Sequence, residues 1–353
     1  MSTGDVAVRT VDFVSHQEHV LNVSGDNGDA MQEVLRDVAD ELNAQIIGQF
    51  TFAGCDHFDT AGPLDWPFSW LQGDACKKGE MTSMQAVAVS GVDLQPIKLN
   101  GQTVGYFYED EHARYCRLAG LQPGDADASR EAQTRSLFER MANALKQCDM
   151  KFADTVRTWL YLDQLLDWYD EFNAVRTQFF EEHGVFDKMV PASTGIGACN
   201  PQGAAITADL LAIVPKSDAV TIQAVESPLQ ESAMDYRSSF SRAAEVGFPT
   251  HRTIYISGTA SIEPKGETVH LDDSEAQIAL TMEVVKALLN SRDMDWSDVT
   301  RGIAYFKNSN DLKIYQEFCE KHDIPEFPLA ISHADVCRHN LLFEIEIDAT
   351  KAK

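Results

Sequence analysis

The chain has 353 residues, of which 44% are hydrophobic and 24% charged, a composition that supports two or three folded domains. With 29 basic against 55 acidic residues its formal net charge is −26, and such a surface repels nucleic acids and anionic membranes. No apolar run is long enough to cross a membrane.

The N-terminal sequence and the cysteines indicate the location and the redox environment of the protein. The opening Met-Ser-Thr-Gly-Asp-Val lacks the basic stretch and apolar segment of a secretory signal. The seven cysteines are scattered, odd in number and without C-x-x-C spacing. We therefore expect a cytoplasmic protein with no disulfide framework and no structural zinc site.

Residues 1–104 predict an α/β region. Its expected elements are the amphipathic helix Ala30–Leu42 and strands at Gln45–Phe52, Trp66–Leu71 and Met84–Val89. A front hairpin is not evident, because Val6–Val23 fits one only loosely. Whether this region is a degenerate copy of the repeat that follows stays open at this point.

An internal repeat organises the rest of the chain. The helical run Glu131–Lys146 recurs as Glu275–Leu289, 144 positions later, and the strand Thr158–Leu162 recurs as Gly302–Phe306. The flanking elements repeat too, namely the strand pairs Gly105–Tyr108 with Tyr115–Leu121 and Ser239–Val246 with Thr253–Thr259, the helices Trp168–His183 and Leu312–His322, and the last strands Ala204–Val214 and Leu342–Ile347. We predict two β-β-α-β-α-β-β units, 105–217 and 236–353, joined by a linker at 218–235.

The last strand carries the first candidate chemistry. Phe343, Ile345 and Ile347 alternate with Glu344 and Glu346, so the two carboxylates share one face. Two residues on along a strand they lie about 6–7 Å apart. Either this face is solvated, or the carboxylates need an arginine, a proton or a ligand.

The repeated unit resembles the Rid (YjgF/YER057c/UK114) family, whose fold is a chorismate-mutase-like α+β unit that forms trimers. The residues that carry the resemblance are Ile256-Ser-Gly-Thr-Ala-Ser-Ile262, Glu275-Ala-Gln277, Asp298-Val-Thr300, Tyr305 and Phe343-Glu-Ile-Glu-Ile347. The resemblance covers about residues 105–350 and implies an α+β fold of tandem repeats packed about a pseudo-threefold axis, with clefts between repeats.

Within this family the chain resembles the chorismatases (chorismate hydrolases). The matching segments are Tyr236-Arg-Ser-Ser-Phe-Ser-Arg242, Glu267-Thr-Val-His270, Cys337-Arg338, Leu341-Leu-Phe-Glu-Ile-Glu346 and the helix pattern Tyr169, Phe172, Arg176. This resemblance implies that Glu344 is a catalytic acid, that Cys337 lines the cavity near it, and that Tyr236 and Arg242 contact the substrate. Glu346 and Arg176 complete the predicted substrate-binding set.

The implied chemistry is reasonable for these residue types. Hydrolysis of an enolpyruvyl ether needs a proton delivered to the vinyl carbon and then water at the resulting cation. A carboxylic acid can supply that proton near neutral pH only if burial or a neighbouring carboxylate raises its pKa. Arginine forks are natural partners for the carboxylates of such a substrate.

Two departures from the families keep other functions open. Single-unit Rid deaminases carry an arginine after the loop proline, but this chain reads Pro191-Ala-Ser193 and Pro328-Leu-Ala330. Chorismatases tend to have Arg-x-Trp-Asn where this chain has Arg157-Thr-Trp159-Leu160. The alternatives are therefore imine or enamine hydrolysis and a non-catalytic protein that binds small molecules.

Several candidates have a plainer structural interpretation. Arg242 could be a surface arginine on a strand, and Arg176 could lie on the solvated face of an amphipathic helix. Arg157 and Arg301 occupy the same repeat position, which favours a structural role. His333, Asp335, Cys337 and His339 alternate, but a strand spreads them too far apart for one ion, and we predict no metal site.

We therefore predict a cofactor-free hydrolase that acts on a small carboxylated metabolite. Its partners are the substrate alone, with neither nucleic acid nor membrane, in a pseudo-trimeric monomer or a homo-oligomer such as a trimer.

Overall fold

The protein is an α+β structure built on two large sheets. The computed structural model describes residues 6–25, 27–60, 64–73, 82–236 and 238–353, apart from the side chains of residues 56, 59, 60, 82, 235 and 236. Within these ranges the sheets have 11 and 6 strands. None of the helices described is long and apolar enough to span a membrane.

The first unit, residues 7–90, has strand order β1-β2-β5-β3-β4. Its elements are β1 (Ala7–Phe13), β2 (His16–Gly25), α1 (Gly28–Glu41), β3 (Gln45–Phe52), β4 (Phe68–Gly73) and β5 (Thr82–Ser90). A short 3₁₀ helix, Cys55–Thr60, connects β3 to β4. A front hairpin, which the sequence does not make evident, is formed by β1 and β2.

The second unit, residues 95–215, completes the larger sheet in the order β10-β9-β11-β8-β7-β6. Its elements are β6 (Gln95–Leu99), β7 (Gln102–Glu109), β8 (Ala113–Leu121), α2 (Arg130–Lys146), β9 (Thr155–Leu162), α3 (Tyr169–Glu182), β10 (Ala192–Cys199) and β11 (Ile206–Pro215). Strand β10 pairs antiparallel with β4, and this pairing joins the two units into one sheet.

The third unit, residues 221–352, forms the smaller sheet in the order β12-β13-β14-β17-β15-β16. Its elements are β12 (Thr221–Val225), β13 (Ala243–Gly247), β14 (His251–Ala260), α4 (Ser274–Asn290), β15 (Val299–Phe306), α5 (Asp311–Lys321), β16 (Leu329–His333) and β17 (Phe343–Ala352). Helices α2 and α4 span ranges 144 positions apart, as the sequence repeat predicts.

Two edge strands depart from the sequence prediction. Residues 218–235 are not a simple linker, because β12 lies within them and pairs antiparallel with β13. Strand β6 precedes residue 105 yet pairs with β7. Both strands occupy the hydrogen-bonding edge of a front hairpin, which would otherwise expose unpaired main-chain groups.

Helix starts follow from local capping. Ser129 and Asp273 precede α2 and α4, and each side chain accepts a hydrogen bond from the main-chain N–H three residues on. Asn27 does the same for α1. Such caps satisfy N–H groups that the first turn leaves without partners. The apolar faces of the helices then pack on one side of the sheets, including Phe138 and Met282.

The opposite sheet faces meet one another in a core shared by all three units. The central strand pair of each unit places an aromatic residue opposite a polar one, and these pairs are Phe52 with Ser83, Tyr161 with Thr207, and Tyr305 with Glu344. The hydroxyls of Tyr161 and Tyr305 lie 3.2 Å apart, and the Phe52 ring lies 6.3 and 6.2 Å from their rings. One aromatic residue from each unit therefore meets the other two at this point.

A buried ionic network holds this shared core. The carboxylate of Glu346, on β17, accepts hydrogen bonds from Arg157 Nη2 at 2.9 Å, Arg301 Nη2 at 2.6 Å and Trp159 Nε1 at 2.7 Å. Arg157 and Trp159 belong to the second unit, so these bonds cross a unit boundary. A charge buried this deeply is tolerated only when its partners are fixed around it.

Arg301 extends the network to the first unit. Its Nη1 donates to Asp348 at 2.7 Å, and its Nε donates to Gln85 Oε1 at 2.8 Å. The side chains of Arg157 and Glu346 are completely buried and that of Arg301 is 3% exposed. The structural interpretation of Arg157 and Arg301 agrees with these contacts.

We predict that Arg301→Met destabilises the fold strongly. The substitution keeps an unbranched side chain but leaves Glu346 and Asp348 as buried charges without this partner, at a cost of roughly 3–5 kcal/mol. Urea denaturation measures the change in free energy of unfolding. The matched control is Arg135→Met, since Arg135 pairs with Glu139 and Glu182 at the surface and should change stability by less than about 1 kcal/mol. Equal effects of the two substitutions would contradict the assignment.

Candidate active site

A cleft of about 850 Å³ lies between the second and third units. Helix α3 and strand β10 form its wall on the second unit, while β14, β17 and the loops before β13 and β17 form the other side. Among the residues that line it are Tyr169, Asn173, Arg176, Ser193, Gly195, Phe240, Arg242, Gly258, Cys337, Arg338 and Glu344. This is a boundary between units, where the sequence predicted a site.

Glu344 lies at the bottom of this cleft and is 4% exposed. Its carboxyl group lies against Gly258, where a Cβ would overlap Oε1 and approach Cδ to 2.8 Å. The main-chain N–H of Gly258 donates to Thr194 Oγ1 at 3.0 Å, which fixes this close approach between β14 and β10. The absence of a side chain at position 258 is what admits the carboxyl group.

The two glutamates of β17 have opposite pKa shifts. Burial, and secondly the negative charge of Glu346, raise the pKa of Glu344 to about 8. Burial also acts to raise the pKa of Glu346, but Arg157 and Arg301 outweigh it and lower that pKa. Within the described residues, no side chain forms a hydrogen bond or ion pair with the Glu344 carboxyl. Near neutral pH Glu344 is therefore a protonated acid beside an ionised carboxylate.

Three arginines reach the same cleft from its two sides. Arg176 of α3 is 2% exposed and donates from Nη2 to Asn173 Oδ1 at 2.5 Å. Arg242 is 6% exposed and donates from Nε to the main-chain oxygen of Glu231 at 3.0 Å. Arg338 donates from Nη1 to the main-chain oxygen of Gly266 at 2.7 Å. These bonds orient the guanidinium groups toward a shared space.

The surface interpretations of Arg242 and Arg176 are wrong, because both side chains are buried at this boundary. For α3, the face that the sequence pattern assigns to solvent is covered by the third unit. Thr177, also on that face, forms a hydroxyl–hydroxyl contact with Ser239 at 2.7 Å. Contacts between units are not visible in the periodicity of a single helix.

Cys337 lines the cleft close to Glu344, as the resemblance implies. Burial, and secondly the charge of Glu344, raise the pKa of its thiol to about 12. A thiol of this kind stays protonated and is a weak nucleophile. The side chain therefore shapes the cavity.

Two other predicted residues have different outcomes. Glu346 does not line the cleft, so its predicted contact with a substrate is wrong; the network of three donors holds it beneath the cleft floor. Tyr236 lies in a 3₁₀ helix, Ala233–Tyr236, beside the cleft, but its side chain lies outside the described residues.

The alternating residues before β17 do not converge. His333 Nε2 lies 3.0 Å from the main-chain oxygen of Lys307, and Asp335 pairs with the Lys307 ammonium at 3.2 Å. Cys337 faces the cleft instead. Across the described parts of the chain, no group of three His, Cys, Asp or Glu side chains is arranged to hold a metal ion.

Sequence reasoning did not assign Gly258, Thr194 or Arg338 to the site. Gly258 lies within the segment that carries the Rid resemblance, and Arg338 follows Cys337, so both were noted without a role. Thr194 carries no sequence signal, since the predicted unit includes a strand before β11 but no pattern gives its bounds. Its role depends on a pairing between units.

Comparison with known protein families matches two parts of the chain. Residues 97–212 match the family described as chorismatase FkbO/Hyg5-like, N-terminal. Residues 230–351 match the family described as endoribonuclease L-PSP. The two matched parts contain most of the second and third units, including both walls of the cleft.

Curated relatives give the same result at the level of single proteins. The chain is 28% identical over 213 residues to a chorismatase from Streptomyces hygroscopicus, covering 54% of this chain and 60% of that protein. It is 24% identical over 240 residues to a 3-hydroxybenzoate synthase from the same organism, covering 60% of this chain and 68% of that protein. The aligned part thus spans less than two thirds of the chorismatase.

The fold extends the likeness to the whole molecule. A crystal structure of a chorismatase superposes with a TM-score of 0.68 at 18% identity, covering 98% of this chain and 100% of that one. The fold and the two family matches agree with the predicted resemblance. The chain is therefore similar to chorismatases in sequence and in fold, and its third unit matches the endoribonuclease L-PSP family.

Proposed function

We propose that this chain hydrolyses the enolpyruvyl ether of chorismate or of a closely similar dicarboxylate. The observation that carries the proposal is Glu344, a buried carboxyl whose pKa is raised to about 8, at the bottom of an arginine-lined cleft. The relatives named chorismatase and 3-hydroxybenzoate synthase support the substrate class.

The proposed reaction begins with proton transfer from Glu344 to the terminal methylene carbon of the enol ether. The ether carbon then carries the positive charge and takes up water. The hemiketal breaks its bond to the ring oxygen, which leaves as an alcohol with pyruvate as the second product. One water is consumed, and its proton restores the acid.

Binding of a dianion is consistent with the electrostatics of the cleft. Arg176, Arg242 and Arg338 provide three positive charges against a protein whose formal net charge is −26. Guanidinium groups that are already oriented by main-chain and amide oxygens lose little freedom on binding a carboxylate. We assign substrate contacts to Arg242 and Arg176, and through the resemblance to Tyr236.

Glu346 takes a supporting role in this proposal. It stays ionised between Arg157 and Arg301, and its negative charge favours the protonated form of Glu344 two residues away. Two carboxylates in different surroundings thereby take two roles.

We also propose that the three units pack around a pseudo-threefold axis, with residues 1–104 containing a degenerate third repeat. The convergence of Phe52, Tyr161 and Tyr305 at one register supports this arrangement. One chain would then provide what three subunits provide in a trimer. The scattered cysteines support a cytoplasmic location.

Glu344→Gln should abolish most of the activity while the fold is retained. Loss of a positioned general acid lowers kcat by roughly 10²–10⁴-fold. Pyruvate release from chorismate, coupled to lactate dehydrogenase, measures the rate. No pyruvate from either form would remove this substrate, and ammonia release from a dehydrogenated amino acid would then support the alternative of imine hydrolysis. Neither reaction, with chorismate still bound, would support a binding protein.

Activity should decline as pH rises through the pKa of Glu344. Because the reactive form is protonated, kcat/KM should be level on the acid side of about 8 and fall about tenfold per pH unit above it. Initial rates of pyruvate release between slightly acidic and strongly alkaline pH test this. The residual activity of Glu344→Gln should lack the alkaline decline, and a decline of the same midpoint in that variant would assign it to another group.

Gly258→Ala should displace the carboxyl of Glu344 and lower kcat by about 10²-fold, since small misplacements of a catalytic group are costly. Its matched control is Gly195→Ala on the opposite wall, where an added Cβ comes no closer than 3.6 Å to Tyr169 and should leave most activity intact. Thermal unfolding of both variants checks the fold. Full activity in Gly258→Ala would contradict the proposed place of the acid.

A further inference from the structure

A second cleft, of about 380 Å³, lies between the first and second units. Strand β4 and its preceding loop form one wall, and β7, β8, α2 and the end of the β10–β11 loop form the other. It shares no lining residue with the candidate active site.

Sheet register shows that the two clefts occupy equivalent boundaries. Thr207 faces Tyr161 across β11 and β9, as Glu344 faces Tyr305 across β17 and β15. A main-chain to hydroxyl bond is repeated as well. Gly120 N–H donates to Ser69 Oγ at 3.1 Å in the second cleft, and Gly258 N–H donates to Thr194 Oγ1 at 3.0 Å in the first.

The boundary between the first and third units differs from these two, because its residue at this position is bonded to protein. The position equivalent to Glu344 there is Ser83, whose hydroxyl accepts a hydrogen bond from the main-chain N–H of Ile331 at 3.3 Å. At that boundary the hydroxyl of Ser83 therefore already has a hydrogen-bond partner within the protein. The second cleft is different.

Thr207 lines the second cleft and is 1% exposed, yet its hydroxyl has no hydrogen-bond partner among the described residues. A buried hydroxyl without a partner costs free energy that a ligand can recover. Threonine cannot act as the acid that Glu344 provides. At this position the second cleft therefore offers a hydrogen bond and not a proton, and the nearby carboxyl of Asp209 is already bonded to Ser69 and to the main-chain N–H of Gly120.

The walls define the chemistry of the ligand. Four aromatic residues of the first unit line the cleft, namely Phe58, Trp66, Phe68 and Trp70. Arg140 of α2 lines the opposite side, and its Nε has no partner in the described part of the chain. In a protein of net charge −26, an arginine facing aromatic walls points to an anion that carries a flat ring.

We propose that the second cleft binds a small planar carboxylate, with its ring against the aromatic wall, its carboxylate on Arg140 and a polar group on Thr207. This site is separate from the proposed reaction and stands whether or not that reaction occurs. The cleft volume lies at the small end of the range for ligand pockets and suits a ligand with a single ring and about ten non-hydrogen atoms in total.

Isothermal titration calorimetry with 3-hydroxybenzoate as the probe tests the site on the full chain. Arg140→Gln should weaken this binding about tenfold or more, because a charged hydrogen bond is lost. Thr207→Val keeps the shape of the side chain and should weaken it about threefold or more. Lys146→Gln on the same helix is the matched control, since Lys146 donates a hydrogen bond to Asn143 at the surface, away from the cleft lining, and the substitution should leave affinity unchanged.

A second set of variants separates the two clefts. Arg176→Gln and Glu344→Gln alter the first cleft. They should leave the affinity of the second cleft for 3-hydroxybenzoate unchanged. Quenching of tryptophan fluorescence by the probe should be reduced in Trp70→Phe. Absence of saturable binding would overturn the proposal. So would a loss of binding in Arg176→Gln together with retained binding in Arg140→Gln and Thr207→Val. Thermal unfolding identifies any variant that fails to fold, and Thr207→Val still tests the site if Arg140→Gln does so.

Discussion

The carboxylate of Glu346, held between Arg157 and Arg301, is the interaction on which the rest of this structure depends. Its three hydrogen bonds join the last strand of the chain to strands of two units. Separating either arginine from it would leave a charge in the core, which is far more costly than the net gain from forming the pair. The network therefore fixes the register of β17 against β9 and β15, and with it the position of every other side chain on that strand.

The register of β17 gives its two glutamates different surroundings. Side chains two apart on a strand share a face, so fixing Glu346 beneath the floor places Glu344 at the cleft. The same distance couples their charges, and burial acts on both. Arg157 and Arg301 stabilise the ionised form of Glu346, which lies deeper. Glu344 lacks such partners among the described residues, and burial therefore favours its protonated form. A neutral acid at the bottom of an arginine-lined cavity follows from this packing.

The elements of the fold were largely readable from the sequence, because each repeat keeps its register across a helix, a turn and a strand. Helix α2 begins one residue before its predicted start, and α4 does the same. Strand β10 was predicted only as a member of the β-β-α-β-α-β-β unit and without bounds, since Gly195 and Gly197 interrupt its apolar pattern and its partners come from two different units. The boundary strands β6 and β12 were missed for a related reason: their role is to cover the edge of a hairpin, which no local pattern records.

The residues of the candidate site likewise fall into those that the sequence indicates and those that depend on contacts between units. Glu344 could be proposed from the alternation of its strand together with the family resemblance, whereas Arg242 and Cys337 were proposed from the resemblance. Arg176 was placed in the site only by resemblance, since its helix shows a polar face that another unit covers. Gly258 and Thr194 acquire meaning only from a contact between units. Local sequence determines which side chains a unit presents, but the packing of units determines which of them meet.

The proposed arrangement of three repeats accounts for boundaries of different chemistry within one chain. The same register position carries Ser83, Thr207 and Glu344 in the three units, facing Phe52, Tyr161 and Tyr305. A trimer of identical chains must place the same side chain at all three boundaries, whereas a single chain can vary each one. At this register position only one of the three boundaries carries an acid, and another can close or bind a ligand without one. Joining the repeats in one chain thus separates the demands of stability from those of chemistry, boundary by boundary.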